Sequence, residues 1–300
     1  MTRVAKLEIM KIGAFDSGVG GFTVLKPLLK QMPNLSVVYL ADTAHVPYSG
    51  KTPEELEIII RKILKFFLEK KVEAVIFACN TSSALVLPKV RPYSFVPFYG
   101  VVGPGIKSAL KATQGKGIGA AANEVTAKSG IFKKMIHEKD PAIPVFEQSC
   151  PELVSLVEKG DLSSSRTVSA VREYMKPIRG KIDALILGCT HFPFLKKQFE
   201  DSLPDCAVID PANSLAEEFA EDFKNKKVYH GIDSRQKLNK GNIVFNEAVK
   251  NHELFVTKQS PHIEEWAEKV LGWKVKAELL DLKFIRPWTP EEVVSCETPS

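Results

Sequence analysis

Short apolar runs alternate along this chain with longer stretches in which apolar side chains return every three or four positions, the pattern of buried strands separated by amphipathic helices. Lys11-Ile12-Gly13-Ala14-Phe15-Asp16 reads as a first strand, Ser17-Gly18-Val19-Gly20-Gly21 as a tight turn, and Phe22 to Met32 as the helix that follows. Val37 to Leu40 supplies a second strand. Thr52-Pro53-Glu54-Glu55 opens another helix with an N-cap threonine, a proline at the first helical position and a glutamate three residues after the cap. Leu56, Ile59, Ile60, Ile63, Leu64 and Phe67 share one face of it and should pack on a sheet. Val72 to Ala78 completes a βαβαβ half. Pro88, Pro92 and Pro97 then interrupt regular structure, and Val101-Val102-Gly103-Pro104-Gly105 reads as a crossing between two lobes.

The pattern then repeats. Gly117-Ile118-Gly119-Ala120 echoes the first strand, with Ile118 standing 106 residues after Ile12. Val72-Glu73-Ala74-Val75-Ile76-Phe77-Ala78-Cys79-Asn80-Thr81 returns as Ile182-Asp183-Ala184-Leu185-Ile186-Leu187-Gly188-Cys189-Thr190-His191, with Cys189 110 residues after Cys79. Two anchors at nearly equal offsets indicate an internal duplication. Further on, Ser214 to Lys224 is expected to be a helix with a Ser-x-x-Glu cap ending in Glu217, and Ser260-Pro261 to Leu271 a helix closed by Gly272. Residues beyond about Phe284 read as a polar tail with little structure.

The repeated phrase carries the candidate chemistry. Each copy is a buried strand with a thiol at its carboxyl end, where ligands of open α/β sheets sit. A lone buried cysteine is usually a small apolar side chain. Two in matching places suggest one thiol on each side of a shared cleft. Unpaired N–H groups and the helix dipole beyond each strand are expected to favour thiolate and lower the pKa from about 8.5 toward neutrality. A base and an acid on opposite sides of a carbon suit proton transfer with inversion. The glycine turn is a poor nucleotide fingerprint: GxGxxG needs glycine where Thr23 stands, and no Walker lysine follows. It reads either as a seat for a carboxylate at a helix N-terminus or as a turn needing positive φ. His191 forms a Cys-x-His pair with Cys189, which is two ligands and a poor metal site, so it reads as a proton partner of that thiol or as a core histidine. Asp16 could hold a substrate ammonium or tune Cys79. Asp42, Tyr48, Asn80, Thr81, Thr126 and Thr190 are polar groups at strand ends or in loops, where caps and turn residues also occur.

Composition narrows the class. Three hundred residues are enough for two domains, and 44% hydrophobic with 26% charged is an ordinary globular balance. The net charge of +5 is spread along the chain and not gathered in one basic block, so it gives little support to a nucleic-acid surface and is compatible with a small anionic substrate. Five cysteines (Cys79, Cys150, Cys189, Cys206, Cys296) without a CxxC pair read as reduced thiols in a cytosolic compartment. Met1 to Met10 lacks the apolar stretch of a secretory leader, and no run approaches the ~20 apolar residues of a membrane span.

Four phrases in order give the chain a family resemblance: Gly13-Ala14-Phe15-Asp16-Ser17-Gly18-Val19-Gly20-Gly21, Ala41-Asp42-Thr43-Ala44-His45-Val46-Pro47-Tyr48, Ala78-Cys79-Asn80-Thr81-Ser82-Ser83-Ala84, and Leu187-Gly188-Cys189-Thr190-His191-Phe192-Pro193. From about residue 11 to 284 it resembles the glutamate racemases of the aspartate/glutamate racemase superfamily. The resemblance implies an α/β fold of two pseudosymmetric lobes, each a mostly parallel sheet flanked by helices, with the active site in the cleft between them. Residues 1–101 and 213–300 would form the first lobe and 102–212 the second. It implies Cys79 and Cys189 as catalytic bases, acting on the D and L isomers respectively, with Asp16 and His191 assisting and Asp42 and Glu158 as auxiliary acids. Asp16, Ser17, Tyr48, Ser49, Asn80, Thr81, Thr126, Thr190 and His191 match substrate-binding positions. The implied reaction is cofactor-independent and uses no metal. The implied partner is glutamate, with neither nucleic acid nor membrane involved, and a homodimer is allowed. The implied role is the supply of D-glutamate for peptidoglycan in the cytoplasm. The chain departs from the family pattern at Ser49, inserted before Gly50, at Asn123 in place of a usual threonine, and at Gly103 in place of a frequent glutamate. An aspartate or hydantoin racemase, an amino-acid-binding module and a thiol redox protein are the alternatives.

Overall fold

A computed structural model describes residues 10–229, 251–260 and 262–294. Its strands are β1 (Lys11–Asp16), β2 (Ser36–Ala41), β3 (Ala74–Phe77), β4 (Phe98–Gly100), β5 (Ile118–Ala122), β6 (Val145–Ser149), β7 (Ala184–Gly188), β8 (Ala207–Ile209), β9 (Glu253–Val256) and β10 (Ala277–Leu279). They form two sheets in which every pairing is parallel, one ordered β10-β9-β2-β1-β3-β4 and the other β6-β5-β7-β8.

Alternation along the strands feeds a core on each face of each sheet. In the first sheet Ile12, Ala14, Val37, Tyr39 and Ile76 pack to one side, and Phe15, Val38, Leu40, Val75 and Phe77 to the other. In the second, Ala121, Leu185 and Leu187 oppose Ile118, Ala120 and Ile186. The helix Pro53–Glu69 covers one face of the first sheet, and its capping box between Thr52 and Glu55 forms as the sequence predicts. Leu56, Ile60, Ile63, Leu64, Phe66 and Phe67 are its buried residues. Each contributes about 1.5–3 kcal/mol, so packing outweighs the cap, which is worth about 1 kcal/mol.

The duplication is visible in the topology. The order β2-β1-β3-β4 in one sheet matches β6-β5-β7-β8 in the other. Phe15 faces Phe77, and its counterpart Ala121 faces Leu187. Cys79 and Cys189 each lie two residues beyond those matched positions. The strand ends are not equivalent throughout. Asp16 and Asp42 stand at the ends of β1 and β2, whereas Ala122 and Cys150 occupy the matching places at the ends of β5 and β6.

Several local expectations are corrected. Val101 to Gly105 does lie on the crossing between the two sheets, but it continues into regular structure. Val102–Ala112 is a helix, and the chain passes from β4 to β5 through it. The helix after β8 starts at Pro211, because Asp210 Oδ1 accepts the Ala212 N–H and Pro211 suits a first helical turn. Ser214 therefore lies inside it, hydrogen bonded to Ser108, and does not cap it. The segment after Phe284 is not an unstructured tail. Trp288 is fully buried in the core beside Phe95, its backbone N–H donates to the Arg61 carbonyl at 2.9 Å, and Glu291–Val294 is helical. The helix Ile263–Leu271 ends on left-handed Gly272 as expected, whereas Pro261, proposed to open it, lies outside the described residues. Cys79, Cys150, Cys189 and Cys206 are free thiols, while Cys296 and residues 1–9 also lie outside the described residues. Among the described residues no helix is long and apolar enough to cross a membrane.

Candidate active site

The carboxyl ends of β1, β3 and β7 bring the principal candidates together. Cys79 is the N-cap residue of the helix Asn80–Leu85, and its carbonyl receives the Ser83 N–H at 2.9 Å. Cys189 follows β7 directly, and His191 begins the 3-10 turn beyond it. Each cysteine is 6% exposed. The sulfurs are near enough that charge on Cys189 raises the pKa of Cys79.

The expected depression of the Cys79 pKa does not occur. Burial pushes this thiol up, and the negative charges of Asp16 and Cys189 add to the rise. The N–H groups of Ser82 and Thr81 at the helix start oppose it but do not prevail. Desolvation of a thiolate is the larger effect, so Cys79 is a neutral thiol.

Asp16 is fully buried at the end of β1. Its Oδ1 accepts the Gly18 N–H at 3.0 Å, and its Oδ2 accepts the Thr190 hydroxyl from the other lobe at 2.9 Å. Burial raises its pKa, with His191 the main opposing charge. Ser17 is buried next to it. His191 is held at both ring nitrogens: Nε2 lies 2.6 Å from Glu158 Oε1, and Nδ1 lies 3.7 Å from Cys189 Sγ. Burial disfavours the charged ring, but Cys189 and Glu158 together outweigh it and hold the His191 pKa well above its ordinary value. Burial likewise works against the Glu158 carboxylate, and the His191 pairing overcomes it, keeping that pKa low.

Asp42 is placed differently from Asp16. It accepts the Tyr48 hydroxyl at 2.9 Å, the Thr257 hydroxyl at 2.6 Å and His45 Nδ1 at 2.8 Å, so it bears on the site by fixing Tyr48. Burial, Asp42 and then Cys79 raise the Tyr48 pKa, which puts the phenol near that thiol. Ser49 lies in the turn Tyr48–Gly50, partly exposed, where the turn meets the helix Glu124–Lys128. Asn80 is buried, with its Oδ1 unpartnered. Thr81 Oγ1 lies 2.9 Å from Thr126 Oγ1 across the lobes. Sequence reasoning did not find Thr257, His45, or Tyr39, whose hydroxyl donates to the Gly18 carbonyl at 2.8 Å. Position at a strand end was the available signal for Thr257, which follows β9.

The glycine turn serves close approach between the lobes. Neither Gly18 nor Gly20 has the positive φ that a turn reading requires, and Gly20 is helical at φ −56°. A methyl group on Gly20 would stand 2.8 Å from Thr190 Cβ and 2.9 Å from His191 Nδ1, and one on Gly18 would overlap Glu158 Oε1. Thr23 Oγ1 also bonds the Thr190 carbonyl across the same boundary at 3.0 Å. Behind Cys189 and Asn80 the cavity is about 10 Å³, room for about one water.

The His191–Glu158 pair gives a testable pH signature. The raised His191 pKa contributes stability that is complete below about 6.5 and is lost as pH rises through the folded value. The lowered Glu158 pKa contributes stability that is present above about 4.5 and is lost as pH falls through the folded value. Glu158→Gln should therefore destabilise the protein most between about pH 4.5 and 6.5, and progressively less toward alkaline pH. Glu158 is 30% exposed along a 250 Å³ pocket shared with Trp266 and Lys269, so the loss should be about 1–2 kcal/mol, below that of a fully buried pair. Thermal unfolding of both proteins across pH measures it, and a difference that grows toward alkaline pH would contradict the pairing.

Residues 23–219 match the Asp/Glu/Hydantoin racemase family. The chain is 35% identical over 276 residues to an Aquifex aeolicus protein named glutamate racemase, covering 92% of this chain and 100% of that one. A solved glutamate racemase isoform from Bacillus anthracis superposes with a TM-score of 0.80 at 28% identity, covering 93% of this chain and 99% of its own. A glutamate racemase from Francisella tularensis, solved in complex with D-glutamate, gives 0.78 at 28% identity, covering 91% and 98%.

Proposed function

The chain belongs to the Asp/Glu/hydantoin racemase family, and from that premise we propose that it interconverts L- and D-glutamate by moving a proton between two thiols. An amino acid held between the lobes presents one face of its α-carbon to Cys79 and the other to Cys189. With L-glutamate, Cys189 takes the α-proton with His191 Nδ1 beside its sulfur. Cys79, kept neutral by burial, gives its proton to the opposite face. One S–H bond forms, one breaks, and the stereocentre inverts; D-glutamate runs the sequence in reverse. Asp16 and the unpartnered Asn80 Oδ1 are acceptors for the substrate ammonium.

The reaction uses no cofactor, so the site must itself stabilise the carbanion. A turnover of about 10 per second corresponds to a barrier of roughly 16 kcal/mol, which calls for excluded water and preorganised donors. The closed lobes and the bonds across them supply both. The D-glutamate formed serves peptidoglycan synthesis in the cytoplasm.

The observation that carries this reading is the placement of two buried sulfurs just beyond the ends of matched strands in different sheets. The test is circular dichroism of the purified full-length protein with L-glutamate or L-aspartate and no added cofactor. Glutamate should lose optical activity, and aspartate, one methylene shorter, should turn over about 10–200-fold less efficiently. Faster turnover of aspartate, or none of glutamate, would sink the reading.

A further inference from the structure

The side chain of Asn123 makes two different bonds. Its Oδ1 accepts the Thr126 N–H at 2.9 Å and caps the helix Glu124–Lys128. That bond fixes the orientation of the amide, so Nδ2 must donate to Thr81 Oγ1, 2.6 Å away in the other lobe. Thr81 Oγ1 in turn lies 2.9 Å from Thr126 Oγ1. All three residues are buried.

Counting hydrogens shows what this cluster can do. The two hydroxyls own two hydrogens and need one for the bond between them. The amide fills one lone pair of Thr81 and polarises its O–H toward Thr126, a cooperative arrangement. The chain of donors then runs from Asn123 through Thr81 to Thr126 and ends with one hydroxyl hydrogen unspent. Such an arrangement recognises an anionic oxygen. Thr81 lies two residues from Cys79, so that oxygen belongs to a carboxylate of the amino acid between the thiols.

We propose that Asn123 is a positioning residue that draws Thr81 and Thr126 together across the closed lobes and leaves the Thr126 hydroxyl as a carboxylate donor, so that it governs substrate affinity. The proposal rests on the glutamate racemase reading. Asn123→Ser separates the two bonds, because serine keeps an N-cap acceptor but is too short to reach Thr81. Asn123→Ala removes both.

The experiment is steady-state racemisation of L- and D-glutamate by the full-length wild type and both variants, with melting temperatures measured alongside. Asn123→Ser should raise KM about ten-fold in both directions with kcat little changed, at a near wild-type melting temperature. Asn123→Ala should match it in KM and melt lower. In a Thr81→Val background, Asn123→Ser should cost nothing further. A wild-type KM in Asn123→Ser, a fall in kcat alone, or the same ten-fold loss repeated in the Thr81→Val background would overturn the proposal. Wild-type protein inactive on glutamate would instead overturn the reading beneath it, and the proposal with it.

Discussion

Cys79→Ala and Cys189→Ala are each expected to lower racemisation by about 10²–10⁴-fold in both directions, the contribution of one positioned acid or base. Inversion needs a group on each face of the α-carbon, and the two sulfurs come from separate sheets, so neither can stand in for the other. Removal of one buried sulfur changes little volume, and both variants should stay folded. The argument goes further for exchange. Cys79→Ala keeps Cys189 and its His191 contact, so in D₂O it should still wash deuterium into L-glutamate while forming little D isomer. Proton NMR of the α-position together with a chiral assay distinguishes the two outcomes. Normal racemisation by either single variant would remove the two-thiol mechanism.

Gly20→Ala should lower kcat/KM about 100-fold, the cost of displacing reacting groups by about 1 Å. Alanine fits the helical backbone at this position without strain. The penalty comes from the methyl group, which meets Thr190 Cβ and His191 Nδ1 on the other lobe and has no free space to occupy. Thr190 holds Asp16 and His191 holds Cys189, so the wedge disturbs both flanks of the site. Gly103→Ala is the control: nothing stands within 4 Å of its methyl, and activity should be unchanged. Kinetics of the two variants at matched fold content decide it, and a Gly20→Ala protein of wild-type efficiency would show that the lobes need not approach this closely.

The sequence revealed what local signals encode. The capping box at Thr52, the Gly272 stop and the repeated apolar strands are short-range patterns, and each formed where it was read. The strand-end position of both thiols followed from the same repeats. What escaped depends on distant partners. Trp288 in a polar segment is buried because distant residues, Phe95 among them, form the apolar cluster that receives its ring. Ser214-x-x-Glu217 is a sound cap signal that lost to Asp210-Pro211 just upstream. The glycine turn gave no hint that its neighbour would be the opposite lobe. The direction of the Cys79 shift could not be foreseen from a helix N-terminus alone, because desolvation depends on everything packed around it. Thr257 reaches Asp42 from 215 residues away, beyond any periodicity.

The two halves share a strand order but not their strand-end chemistry: Asp16 and Asp42 in one, Ala122 and Cys150 in the other. Mirror-image substrates have identical free energies in solution, so the ratio of the forward and reverse efficiencies is pinned at unity however lopsided the protein becomes. The imbalance can appear only as unequal saturation and unequal maximal rates that compensate each other. Evolution was therefore free to specialise each half for one enantiomer's bound state, since no degree of divergence could bias the final mixture.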